Sequence, residues 1–63
     1  MHVGQMIETS NGTLLDIVEI RWWSTDDGAV HGRMMRNGKW SPEKYLGTVR
    51  GIQEAAVSAV RLQ

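Results

Sequence analysis

The chain has 63 residues, 41% of them apolar, no cysteine, and seven basic against seven acidic side chains. That is room for one domain, which at this size buries only about 60% of the surface its unfolded chain exposes. Disulfides and thiolate metal sites are excluded, so regular packing or oligomerisation must supply the stability that small domains otherwise draw from crosslinks.

No run approaches the roughly 18 apolar residues that a membrane helix needs. Met1–Gln5 lacks the basic stretch followed by an apolar stretch that marks a signal peptide. The reading is a cytoplasmic protein with no membrane association and no cofactor. The charge is unevenly spread. Residues 1–28 carry Arg21 against five acids, and residues 29–63 carry six cations against Glu43 and Glu54. Such asymmetry marks either a basic partner-binding face or two halves that attract each other.

Turn signals divide the first forty residues. Asn11-Gly12 and Asn37-Gly38 fit two-residue type I′ turns, and Asp26-Asp27-Gly28 fits a three-residue loop with glycine in the left-handed position. The runs between them are rich in Val, Ile, Leu, Thr and Trp, which predicts strands near 2–9, 13–24 and 29–36. A tight turn at Asn11-Gly12 pairs Ile7 with Asp16. A loop at 26–28 pairs Trp22 with Gly32, whose missing side chain leaves room for the indole. Alternation along the strands then gathers Val3, Ile7, Leu14, Val18, Ile20, Trp22, Val30 and Met34 on one apolar face. The other face collects His2, Met6, Leu15, Ile17, Glu19, Arg21, Trp23, His31, Arg33 and Met35.

Ser41-Pro42-Glu43 offers a helix N-cap, a first-turn proline and a first-turn acid. Tyr45, Val49, Ile52, Ala56 and Val60 recur at helical spacing, which predicts a helix near 42–61. The glycines Gly47 and Gly51 weaken its first half, and an extended segment to about Thr48 with a shorter helix after it is the alternative. Gly47, Gly51, Ala55 and Ala59 fall every four residues, a stripe that lets the helix lie close on the sheet. The fold class is therefore α+β: a three-stranded antiparallel β-meander with one C-terminal α-helix packed on one face, β-β-β-α, in a single domain spanning residues 1–63.

The sequence offers little for catalysis. Four serines and two histidines are present, but there is no nucleophile elbow and no paired acid and base. Asp26-Asp27 belongs to turn chemistry. His2 and His31 with Glu8 and Glu19 match no metal-ligand spacing, so no metal is expected. Asn37-Gly38-Lys39 is a turn and not a phosphate cradle. The chain reads as a binding module and not an enzyme.

The tryptophans carry more. Trp22 and Trp23 are adjacent on a strand, so they point to opposite faces, and an exposed Trp23 is either a contact anchor or a ring packed on Arg21, Arg33 or His31. The run from His31 to Trp40 alternates cationic and apolar residues through a hairpin. A basic β-ribbon of that kind can contact phosphates and reach base edges. An ordinary solvated strand face would look the same. The candidate nucleic-acid or partner-binding residues are Arg21, Trp23, Arg33, Arg36 and Lys39, on the outer sheet face.

Gly38-Lys39-Trp40, then Tyr45-Leu46-Gly47-Thr48-Val49, then Gln53-Glu54-Ala55-Ala56 resemble the AP2-type and integrase N-terminal DNA-binding domains. The resemblance covers residues 32–62. It implies three antiparallel strands backed by a helix, with the sheet entering the DNA major groove. Only four residues separate Trp40 from Tyr45, where that family has a full strand and turn. Two functions follow. The first is a DNA- or RNA-binding module. The second is a small protein-binding inhibitor or regulator, such as a phage or mobile-element accessory protein that blocks a host complex. Apolar groups on the second face (Leu15, Ile17, Trp23, Met35) also predict a homodimer or larger homo-oligomer.

Overall fold

The computed structural model describes the backbone of residues 1–61 and the side chains of residues 1–57. The order of elements is β1 (Gln5–Thr9), β2 (Leu14–Trp22), β3 (Gly28–Arg36), β4 (Lys39–Trp40), β5 (Lys44–Thr48), α1 (Val49–Ala55) and β6 (Ala56–Arg61). All pairings are antiparallel. The α+β class and the antiparallel sheet agree with the sequence. The sheet, however, has six strands and not three, in the order β4-β3-β2-β1-β6, with β5 also on β3.

The first turn shows why the expected register fails. Gly12 is left-handed (φ 83°) but Asn11 is not, and the amide of Thr9 donates to the carbonyl of Thr13 at 2.9 Å. The loop is therefore three residues long, Ser10 to Gly12, and Ile7 lies opposite Leu15 instead of Asp16. A one-residue shift exchanges the two faces of a strand. Leu15 and Ile17, expected on the outer face, are buried in the core, with Ile17 only 1% exposed. Burial favours this register because it sets two large apolar side chains of β2 beside Ile7.

The second loop spans residues 23–27, two longer than expected. Its hydrogen bonds run from the amides of Trp23 and Ser24 to the Asp27 carbonyl. Trp22 consequently pairs with Gly28, and Gly32 pairs with Ile17. Gly28 is not left-handed. It is a close-approach glycine, since a Cβ there would meet the backbone of Arg21 and Trp22. Gly32 likewise makes room for the Asp16 carbonyl and the Leu46 side chain, not for an indole. Trp22 stands at the end of the ribbon, 49% exposed, and Val18 is exposed as well.

Three bulges bend the sheet. Val18 is the extra residue of β2 against β3, Leu46 of β5 against β3, and Val57 of β6 against β1. A bulge inserts one residue and sharpens the local twist. The bulge at Val18 also reverses the alternation of β2. Leu15 and Ile17 face inward before it, and Ile20 packs against the core after it. The core is Ile7, Leu15, Ile17, Val30, Val49 and Ile52, flanked by Met1, Ile20, Met34, Leu46 and Ala56.

The helix is seven residues long and starts at Val49. Its N-cap is Thr48, whose side chain accepts from the Gly51 amide at 3.0 Å. Ser41 caps no helix. Its amide donates to the Met34 carbonyl at 2.8 Å, and its hydroxyl accepts from the Met34 amide at 3.0 Å. It thus completes the ladder of β3 at the break between β4 and β5. Residues 56–61, expected to continue the helix, form a strand on the free edge of β1. The stripe Gly47, Gly51, Ala55, Ala59 therefore crosses three elements and makes no helix face.

Candidate nucleic-acid interface

The candidate residues divide between the two ends of the β2–β3 ribbon. Arg21 lies opposite Ala29, and Trp23 is the first residue of the 23–27 loop, 60% exposed. Arg33 lies opposite Asp16. Arg36 and Lys39 pair with each other across the Asn37-Gly38 turn at the other end. Arg21 and Arg33 were expected to lie close together. The longer loop moves the pairing by four positions. That leaves Ala29, the partner of Arg21, about 13 Å from Arg33 along β3, at roughly 3.3 Å per residue. The five residues do not form one patch.

The two ends differ in how their cations are held. At the loop end, Arg21 Nε donates to Glu19 Oε2 at 3.2 Å, and Arg50 is ion-paired with Asp26. The Ser24 hydroxyl also donates to Asp26, and the Arg50 amide donates to the Asp27 carboxylate at 3.2 Å. The Arg50 hydrogen bond, then that of Ser24, holds the Asp26 carboxyl below its ordinary value, and the same pairing raises the Arg50 guanidinium. A cation already satisfied by a carboxylate has little field left for a polyanion.

At the turn end the arrangement is different. Asn37 (φ 52°) and Gly38 (φ 76°) are both left-handed, as a type I′ turn requires. The turn aligns Lys39 with Arg36 and Trp40 with Met35. Arg36 Nε donates to the Thr13 hydroxyl at 3.1 Å, which fixes its stem without neutralising its charge. The chain then breaks at Ser41-Pro42 and re-enters the sheet with Lys44 opposite Gly32. A groove of about 310 Å3 results, lined by Met34, Arg36, Lys39, Trp40, Ser41 and Lys44. Trp40 is 41% exposed. A larger cleft of about 360 Å3 lies between the 10–12 loop and α1. Its floor is Leu15, Met34, Leu46 and Ile52, and Arg36 is its one cation.

Trp40 and Lys44 are the members that the sequence reading did not select. The signal for Trp40 was present, since a two-residue turn at 37–38 sets residue 40 beside residue 35. Lys44 had no such signal, because Ser41-Pro42-Glu43 reads as the start of a helix. On the outer face His31 lies opposite Tyr45, with ring centroids 5.6 Å apart, edge to face. No group of three or more His, Asp or Glu able to hold a metal occurs among the described residues. Among the described residues no helix is long and apolar enough to cross a membrane.

Gly38-Lys39-Trp40 thus spans a turn and β4, Tyr45–Thr48 lies in β5, and Gln53–Ala56 ends α1 and begins β6. Comparison with family models, with curated proteins and with solved structures finds no match to this chain.

Proposed function

We propose that this protein is a non-enzymatic module that binds single-stranded nucleic acid at the β3–β4 end of the sheet. One observation carries the reading. Arg36, Lys39 and Lys44 line one groove together with the exposed Trp40, and none of them is in an ion pair with another described residue. Cations that track a phosphate backbone beside an aromatic platform for a base are the usual means of gripping a single strand. Lys39 and Lys44 supply backbone charge, Arg36 is a pre-positioned donor, and Trp40 is the stacking surface. Arg33 lies on β3 three residues before Arg36, on the other face of the strand and outside the groove. Arg21 and Trp23 fall outside this site.

The test is binding of short single-stranded DNA and RNA as a function of salt. Affinity should fall steeply with salt, because each phosphate contact releases condensed counterions. Trp40→Ala should lose about 1–3 kcal/mol for each base stacked. Lys39→Ala should lower the salt slope by about one. Retention of neither DNA nor RNA at low salt would end the nucleic-acid reading. A protein partner docked on the exposed tryptophans would then be the remaining function.

A further inference from the structure

The cleft between the 10–12 loop and α1 meets the basic groove at Met34 and Arg36 but has a different lining. Its floor is apolar. Leu15 and Ile52 are core residues, and Met34 and Leu46 are half-buried beside them. Its rim is polar and neutral, formed by Thr9, Ser10, Asn11, Thr13 and Thr48. Among the described residues no Asp or Glu lines it, and Arg36 is its one cation. The buried Thr13 accepts from Arg36 Nε at 3.1 Å, which holds the guanidinium at the wall. Arg36 is in no ion pair with another described residue. Two glycines keep the recess open. A Cβ on Gly47 would reach the Ile52 side chain at 3.7 Å, and one on Gly51 would reach the Thr48 hydroxyl at 3.0 Å.

We infer that this cleft binds a small amphipathic acid, with an apolar chain on Leu15, Met34, Leu46 and Ile52 and a single carboxylate on the Arg36 guanidinium. At about 360 Å3 the recess is at the small end of the roughly 300–1,000 Å3 of ligand sites, which are mostly apolar with a few placed polar groups. Charge selects the head group. The chain has zero net charge, so it does not draw anions in general, and the one charge lining the cleft is positive. An ammonium would meet Arg36 with no carboxylate in the lining to offset it. A carboxylate matches the planar fork of a guanidinium. Thr13 already fixes the Arg36 stem, so little side-chain freedom is lost on binding. The site goes beyond the nucleic-acid reading and does not depend on it, because Lys39, Trp40 and Lys44 do not line the cleft.

The experiment is an amide NMR titration of the whole chain with octanoate, octanol and octylammonium, three probes that share one apolar chain and differ in charge. Octanoate should shift the amides of Leu15, Leu46, Gly47 and Gly51 saturably. It should bind about tenfold more tightly than octanol, the worth of one charge-assisted hydrogen bond, and octylammonium should bind most weakly. Arg36→Gln should bring octanoate down to the affinity of octanol and leave octanol binding unchanged. If that variant fails to fold, the order of the three wild-type affinities decides alone. The absence of a saturable octanoate shift at those four amides overturns the inference. So does octanol or octylammonium binding as tightly as octanoate, or a folded Arg36→Gln variant that keeps the preference for octanoate.

Discussion

Asn-Gly occurs twice in this chain, and the two copies fold differently. Asn37-Gly38 is a two-residue turn with both residues left-handed, whereas Asn11-Gly12 is the end of a three-residue loop with only Gly12 left-handed. The flanks account for the difference. Asn11 Oδ1 accepts from the Thr13 amide at 3.2 Å and from the Thr9 hydroxyl, so its side chain acts as part of the loop. Arg36 and Lys39 close the other turn with a strand pair, and no core residue depends on its register. A dipeptide therefore proposes a turn. The burial it would impose on the strands decides which turn forms.

The largest way to break that comparison is to remove the burial. Ile17→Ala deletes the most deeply buried side chain of the face that the 10–12 loop selects. It should cost about 2–5 kcal/mol, the range for truncating a buried isoleucine, and most copies should unfold at moderate temperature. Thermal or urea unfolding followed by circular dichroism reads it. Leu14→Ala, on the face that the alternative register would have buried, should cost far less. Equal losses would mean that burial does not choose the register.

Next is Gly32→Ala. Its Cβ would overlap the Asp16 carbonyl oxygen across the strand pair, a backbone contact that no rotamer change relieves. A cost of about 1–3 kcal/mol is expected, as for overpacking. A neutral effect in urea unfolding would show that the ribbon can open at that point.

The same substitution in both turns gives the sharpest contrast. Asn37→Gly keeps the left-handed conformation at no steric cost and should change stability by less than about 0.5 kcal/mol. Asn11→Gly leaves the Thr13 amide without its acceptor and should cost about 1 kcal/mol. Matched unfolding curves for the pair would show that the two turns are interchangeable after all.

The smallest expected effect concerns the loop at residues 23–27. Asp26 has a lowered pKa in the folded protein, through Arg50 first and Ser24 second. A depressed carboxyl contributes stability above its unfolded pKa, and that contribution is lost as pH falls through the folded value. Both partners are exposed, so the effect is small and shrinks with salt. Carboxyl titration by NMR should find Asp26 returning towards its ordinary value in Arg50→Ala. An unchanged titration would remove Arg50 as the cause.

The sequence by itself was enough for an antiparallel sheet, the turn at 37–38 and the existence of strands β1 to β3. Those follow from local chemistry: left-handed Asn-Gly, β-branched runs and apolar alternation. It also indicated that a helix could begin after Thr48. Four features were decided only by the tertiary structure. Leu14 and Leu15, and Ile17 and Ile20, offer apolar residues to both faces of β2, so alternation alone gives no answer. The bulge at Val18 resolves it by burying Ile17 before the kink and packing Ile20 inward after it. Ser41-Pro42-Glu43 has the chemistry of a helix start, yet Ser41 serves the open ladder of β3 at Met34. The segment Ala56–Arg61 spaces like a helix, with Ala56 and Val60 four residues apart. It becomes a strand because β1 has an unpaired edge, and satisfying that edge exceeds the few tenths of a kcal/mol that separate alanine and valine in helix propensity. The basic groove, for the same reason, is a tertiary product: Lys44 joins Arg36, Lys39 and Trp40 only because β5 pairs with β3.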